Sequence, residues 1–150
     1  MTTSAPRPRV PRLSSARAVS RKLALQGLYR WQLNRCDWRD LLVDFDVAED
    51  APRADREFFR SLVQAICDSE VELDALLTGW CDRKAAELDP IERAALLIGV
   101  QELRGHPETP WRVAVSEAVG LSRRFGATDG HKFVNAVLDR AARELRPGER

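Results

Sequence analysis

Three observations predict an all-α fold, a helical bundle of six or seven helices, for this 150-residue sequence. Apolar residues recur at helical spacing through each long segment. No stretch shows the two-residue alternation that a half-buried strand needs. Asp, Ser, Pro and Gly fall where helices would start and stop. With no repeat and no second domain in sight, residues 14–147 are expected to form one all-helical unit behind a disordered basic arm at residues 1–13.

The arm carries Pro6, Pro8 and Pro11 between Arg7, Arg9 and Arg12, with almost nothing to bury. Such a segment favours extended, polyproline-like conformations and suits either a nucleic-acid tether or a solubilising tail. Ser14-Ser15 offers a cap for a first helix of about twenty residues, whose apolar stripe is Ala24, Leu28 and Trp31 flanked by Leu25. Arg17 and Arg21 lie one turn apart on it, a spacing of about 6 Å that suits successive phosphates or a guanine edge. Two solvated helix arginines would give the same pattern.

Asp37 to Phe45 predicts a short second helix carrying Trp38, Leu41, Leu42 and Phe45, with an acidic loop after it at 46–53. One long helix is then expected from about Ala54 to Trp80, with Phe59, Leu62, Ile66, Leu73, Leu76 and Trp80 inside and Asp68, Glu70, Glu72 and Asp74 outside. Asp89-Pro90-Ile91-Glu92 is a helix start with a cap, a proline at the first position and a glutamate placed to close a capping box. From Ala94 to Val100 and on to Leu103 this helix is apolar nearly all round, so it is expected at the centre of the bundle, with Gly99 allowing a close helix approach. Pro110 opens the next helix, which runs to about Arg124. After Gly126-Ala127-Thr128-Asp129-Gly130, apolar residues resume at Phe133, Val134, Val137, Leu138 and Ala141, with Thr128 or Asp129 placed to cap the last helix.

Composition excludes several function classes. Apolar residues make up 44% and charged residues 31%, as in ordinary globular proteins. No apolar run approaches the roughly 20 residues of a membrane span, and no apolar signal core succeeds the basic N-terminus, so a cytoplasmic protein is expected. Three scattered cysteines, Cys36, Cys67 and Cys81, form no CxxC pair and point to reduced thiols rather than a disulfide frame or zinc site. No phosphate loop, nucleophile relay or metal cluster is legible, so the expectation is a protein without catalysis, cofactor or small-molecule substrate. Charge is segregated: residues 1–36 hold eight Lys or Arg and no acid, while residues 37–110 hold 18 acids against 8 bases. Such polarity lets one basic face meet a polyanion while the rest repels it; pairing of the head with the acidic middle inside the fold is the alternative.

The most specific run is Phe125-Gly126-Ala127-Thr128-Asp129-Gly130-His131-Lys132-Phe133-Val134-Asn135. It gathers free helix N–H groups, two bases and an aromatic ring at one corner, the ingredients of a single-stranded RNA site. With Val113-Ala114-Val115-Ser116-Glu117-Ala118-Val119 before it and Asn135-Ala136-Val137-Leu138-Asp139 after it, the run resembles the C-terminal signature of the NusB family of transcription antitermination factors. Ala24-Leu25-Gln26-Gly27-Leu28-Tyr29-Arg30-Trp31-Gln32-Leu33 resembles that family's first helix, and Leu88-Asp89-Pro90-Ile91-Glu92-Arg93 its central one. The resemblance covers residues 15–147, with departures at Ser116, Gln101 and Gly120 and a thinned arginine run across Ala18-Val19-Ser20.

The resemblance implies a non-enzymatic adaptor that binds boxA RNA of ribosomal RNA leaders together with NusE, a small-subunit ribosomal protein, and joins the RNA polymerase antitermination complex. It implies RNA contact through Arg17, Arg21, Asp129, Lys132 and Phe133, a set to which Arg12 and Lys22 of the same basic head are added. Tyr29 and an exposed Glu92 would meet NusE. Phe133 stays open between stacking on RNA and packing in the core. Two other readings stand beside this one: the accessory RNA-binding module of an RNA cytosine methyltransferase, and a bundle that binds proteins only.

Overall fold

The computed structural model describes residues 13–84 and 87–149, so most of the basic arm, including Arg12, lies outside the described residues. Seven α-helices are present among them: α1 (Leu13–Leu33), α2 (Trp38–Asp46), α3 (Arg56–Asp68), α4 (Glu70–Trp80), α5 (Pro90–Gly105), α6 (Trp111–Phe125) and α7 (Gly130–Leu145). Short 3-10 turns occupy Ala51–Arg53 and Pro147–Glu149, and no strand occurs among the described residues.

Local chemistry sets most boundaries. Asp37 closes a reciprocal capping box with Asp40 at the start of α2, and Asp55 accepts from the Phe58 amide at 3.0 Å to start α3. Asp89 accepts from the Ile91 and Glu92 amides ahead of α5, with Pro90 at the first helical position. The expected cap at Ser14-Ser15 is displaced: α1 is already helical at Leu13, so both serines lie within its first turn.

The single long helix expected over 54–80 is two. Ser69 stands between α3 and α4 at φ −114°, ψ 23°. Its amide still bonds the Ala65 carbonyl and its carbonyl still accepts from Leu73, so the ladder bends rather than breaks. Asp68 and Ser69 have weak helix propensity, and beyond the bend Leu73, Leu77 and Trp80 are buried in the same core as Phe59, Leu62 and Ile66.

Helix α5 is the axis of the bundle, as its all-round apolar pattern requires. It packs against α1, α3, α6 and α7, and every residue from Glu92 to Val100 is buried. At Gly99 a Cβ would sit 2.8 Å from one Leu138 methyl and 3.2 Å from the Ala118 Cβ, so only glycine lets α5, α6 and α7 close to this distance. The end of α5 is fastened from the far end of the chain. Arg146, buried after α7, donates to the carbonyls of Leu103, His106 and Thr109 at 2.6, 2.8 and 3.0 Å. The Leu103 carbonyl, in the last turn of α5, would otherwise lack a partner, since the residue four on is Pro107; the His106 carbonyl also accepts from the Thr109 amide at 3.0 Å.

Candidate nucleic-acid interface

The first helix delivers its three leading cations to different fates. Arg21 points inward: only 3% exposed, it makes a bidentate pair with Glu102 of α5 at 2.8 and 2.6 Å, and Glu102 is fully buried. The expectation that Arg21 is offered at the surface beside Arg17 is therefore corrected. Its placement one turn before Leu25 and two before Leu28 puts it on the core side, and the acid opposite neutralises it.

Arg17 is also engaged, with Glu108 at 3.2 Å, Thr109 at 3.3 Å and its guanidinium over the Phe58 ring at 4.4 Å. The basic head thus does pair in part with the acidic middle. Lys22, one residue round the helix, is only 17% exposed and pairs with Asp50, which also holds Arg53.

The last turn of α6 supplies the residues that sequence reasoning missed. Arg123 and Arg124 sit at a helix C-terminus, where cations commonly serve the dipole alone, and this reading conceals any other use. In the fold they diverge. Arg124 joins Lys22, Arg53, Ala18 and Val19 around one shallow cleft between α1 and α6. Arg123 joins His131 and Lys132 along a second cleft between α6 and α7. The N-terminal half of α1 and the 125–135 corner are therefore linked through the end of α6, with Lys22, Arg53, Arg124, Arg123 and Lys132 spread across them.

At the corner itself, Lys132 is exposed and lies 3.4 Å from Asp129, which is 77% exposed. Asp129 accepts no hydrogen bond from the first turn of α7, so the expected side-chain cap is absent. A different carboxylate lies against this helix start, without a hydrogen bond to it among the described residues. Glu92 of α5 packs so closely on Gly130 that a Cβ there would collide with its Oε1. Glu92 is only 9% exposed, which corrects the expectation of an exposed anion reaching back to its own cap. Burial pushes its carboxyl above the usual range, Asp89 adds to this and Arg83 opposes it.

Phe133 is half-buried, one side packed on the core and its ring covered by the Arg83 guanidinium at 4.7 Å. On the other flank, Tyr29 is 39% exposed near Leu33, with Val43 and Val47 exposed on and after α2.

Little here suits covalent chemistry. Burial raises all three thiols, Cys67 to about 12, which keeps them in the un-nucleophilic protonated form. No cluster of three metal-ligating side chains occurs, and no helix is long and apolar enough to cross a membrane, among the described residues. What the arrangement can do is hold a flexible polyanion: cations for phosphates and an aromatic ring for a base, with Asp50 and Asp129 as the carboxylates that a phosphate would displace from Lys22, Arg53 and Lys132.

Known proteins match this fold and sequence closely. The sequence model of the NusB family matches residues 18–143. The chain is 44% identical over 133 residues to a transcription antitermination protein NusB of Hahella chejuensis, covering 89% of each. Its fold superposes on T. maritima NusB with TM-score 0.77 at 24% identity, covering 88% of this chain and 94% of that one. It superposes with TM-score 0.71 at 23% identity on a chain of a crystal structure of the antitermination factors NusB and NusE in complex with dsRNA, covering 85% and 96%.

Proposed function

The chain belongs to the NusB family of transcription antitermination proteins, and from that premise we propose that it binds the boxA element of ribosomal RNA leader transcripts as a single strand, jointly with NusE. In this reading it is a cytoplasmic, non-enzymatic adaptor that carries RNA and NusE to the RNA polymerase antitermination complex. The observation that carries the RNA part is the convergence of Lys22, Arg124, Arg123 and Lys132 around the end of α6 and the α6–α7 corner.

Lys22, Arg124 and Lys132 take phosphates in this reading. Phe133 offers its ring to a base once the Arg83 guanidinium moves off it, an exchange of one flat cationic partner for a flat aromatic one. Asp129 tunes the site by drawing on Lys132 and repelling phosphate. Arg17 and Arg21 act behind this surface. They fix α1 against α5 and the 106–109 loop and so hold Lys22 in place, rather than touching RNA directly. Arg12 adds a phosphate contact from the arm.

NusE is assigned to the flank of α1 and α2 around Tyr29. There an amphipathic ring is exposed one turn from an exposed Leu33, a pairing suited to a protein contact. Glu92 contributes to that contact by keeping the start of α7 in place, since its carboxylate is turned inward on Gly130.

The test is titration of the full chain with a boxA single strand, a scrambled strand and a boxA duplex, each with and without NusE. The proposal requires tightest binding to the boxA single strand, strengthened by NusE. Equal affinity for the scrambled strand in both conditions refutes it.

A further inference from the structure

We propose that the cleft between α6 and α7 is a second length of RNA track, which takes the single strand onward from the α6–α7 corner; this rests on the reading of that corner as an RNA site. The cleft measures about 480 Å³ and is open along its length, lined by Trp111, Arg112, Ser116, Arg123, His131 and Asn135 among others. It begins at the corner, because Lys132 belongs to its wall.

Helical spacing sets out the cations. Arg112, Ser116, Val119 and Arg123 fall at steps of four, three and four, one face of α6. Arg112 and Arg123 therefore stand about 16 Å apart along the axis, room for a few nucleotides of an extended strand. Between them lie the Ser116 hydroxyl and the Asn135 amide, groups able to bond base edges or ribose.

The fold makes no evident use of these groups. Arg123 has no ion pair among the described residues, and Arg112 only stacks its guanidinium over Trp111 at 5.3 Å. Glu149, beside Trp111, is occupied by Arg146 at 2.6 Å and by the Trp111 amide at 3.3 Å, so it does not neutralise Arg112. His131 Nδ1 is enclosed and has no hydrogen-bond partner among the described residues.

The experiment compares wild type with Arg112→Gln, Arg123→Gln and the double variant, on a minimal boxA strand and on strands extended by several nucleotides at one end or the other. Arg39→Gln, on α2, controls for loss of charge elsewhere, and thermal melting confirms that each variant folds. On one of the extended strands, the double variant should lose about 1.4 from the slope of log Kd against log salt, at about 0.7 per phosphate contact. Arg112→Gln should have no effect on the minimal strand. The inference is overturned if the double variant binds every extended strand with the wild-type slope while Lys132→Ala still weakens binding; the corner reading then survives, and the cleft would suit an acidic protein segment instead. It is equally overturned if Arg39→Gln lowers the slope as much as either cleft variant. Failure of wild type to prefer boxA at all removes the corner reading first, and this inference with it.

Discussion

Replacing Arg21 separates a structural cation from an RNA contact. Arg21→Ala leaves Glu102, fully buried on α5, without the two charge-assisted bonds at 2.8 and 2.6 Å that hold it. Glu117, 3.7 Å from the same guanidinium, is half-exposed and stays solvated, so the penalty falls on Glu102. Removing one partner of a buried pair costs about 3–5 kcal/mol. For a chain of this size that is a drop in Tm of about 6–20 °C. An apolar replacement of both partners, Arg21→Met with Glu102→Leu, leaves no stranded charge and should melt within a few degrees of wild type. The assay is calorimetric melting in parallel with boxA RNA titration on the single and double variants. The double variant should also bind RNA within about twofold of wild type, because neither group reaches solvent. A single variant that melts like wild type yet binds RNA poorly would refute this account of Arg21.

The corner yields three further expected outcomes. Glu92→Gln bears on pH: a carboxyl whose folded value is raised costs stability once ionised, so the fold loses stability as pH climbs from the ordinary glutamate range through the raised value. The amide should therefore raise Tm at pH 7 and leave it unchanged at pH 3.5, as a melting series would register. Asp129→Asn removes a charge that caps nothing, so Tm should stay within about 1–2 °C while RNA affinity rises; weaker binding would mean that the carboxylate accepts bonds from the RNA. Phe133→Ala should lose about 1–3 kcal/mol of RNA binding if its Arg83-covered face is a stacking platform, with a stability loss below the roughly 3–5 kcal/mol of a full core phenylalanine. Urea melts and RNA titrations on the same preparation separate the two losses.

Much of the bundle was legible because helix faces write themselves into sequence. An all-round apolar run has only one place to go, and α5 occupies it. Gly99 was readable for the same reason, as small residues in such a run mark close approach. The bend at Ser69 was not, because it keeps the backbone ladder and shifts the apolar register by too little to break a periodic pattern.

Charged residues were harder, since spacing says which share a face but not which way that face looks. Arg21 and Lys22 are neighbours with opposite orientations, one sealed on Glu102 and the other turned to Asp50. Glu92 read as its own helix's capping partner because the glycine it rests on lies 38 residues later. Arg123 and Arg124 were hidden behind a local explanation at their helix end. Only packing of α1 and α7 on either side of α6 gives them a second one.

The central claim is that the face formed by α1 and the α6–α7 corner grips RNA phosphates. The salt dependence of boxA binding tests it most directly, measured on wild type and on a variant combining Lys22→Ala, Arg124→Ala and Lys132→Ala, with NusE held saturating. Three lost contacts should lower the slope of log Kd against log salt by about 2, with the variant still folded and its melt lowered chiefly by loss of the part-buried Lys22–Asp50 pair. A triple variant that folds and keeps the wild-type slope would contradict the claim.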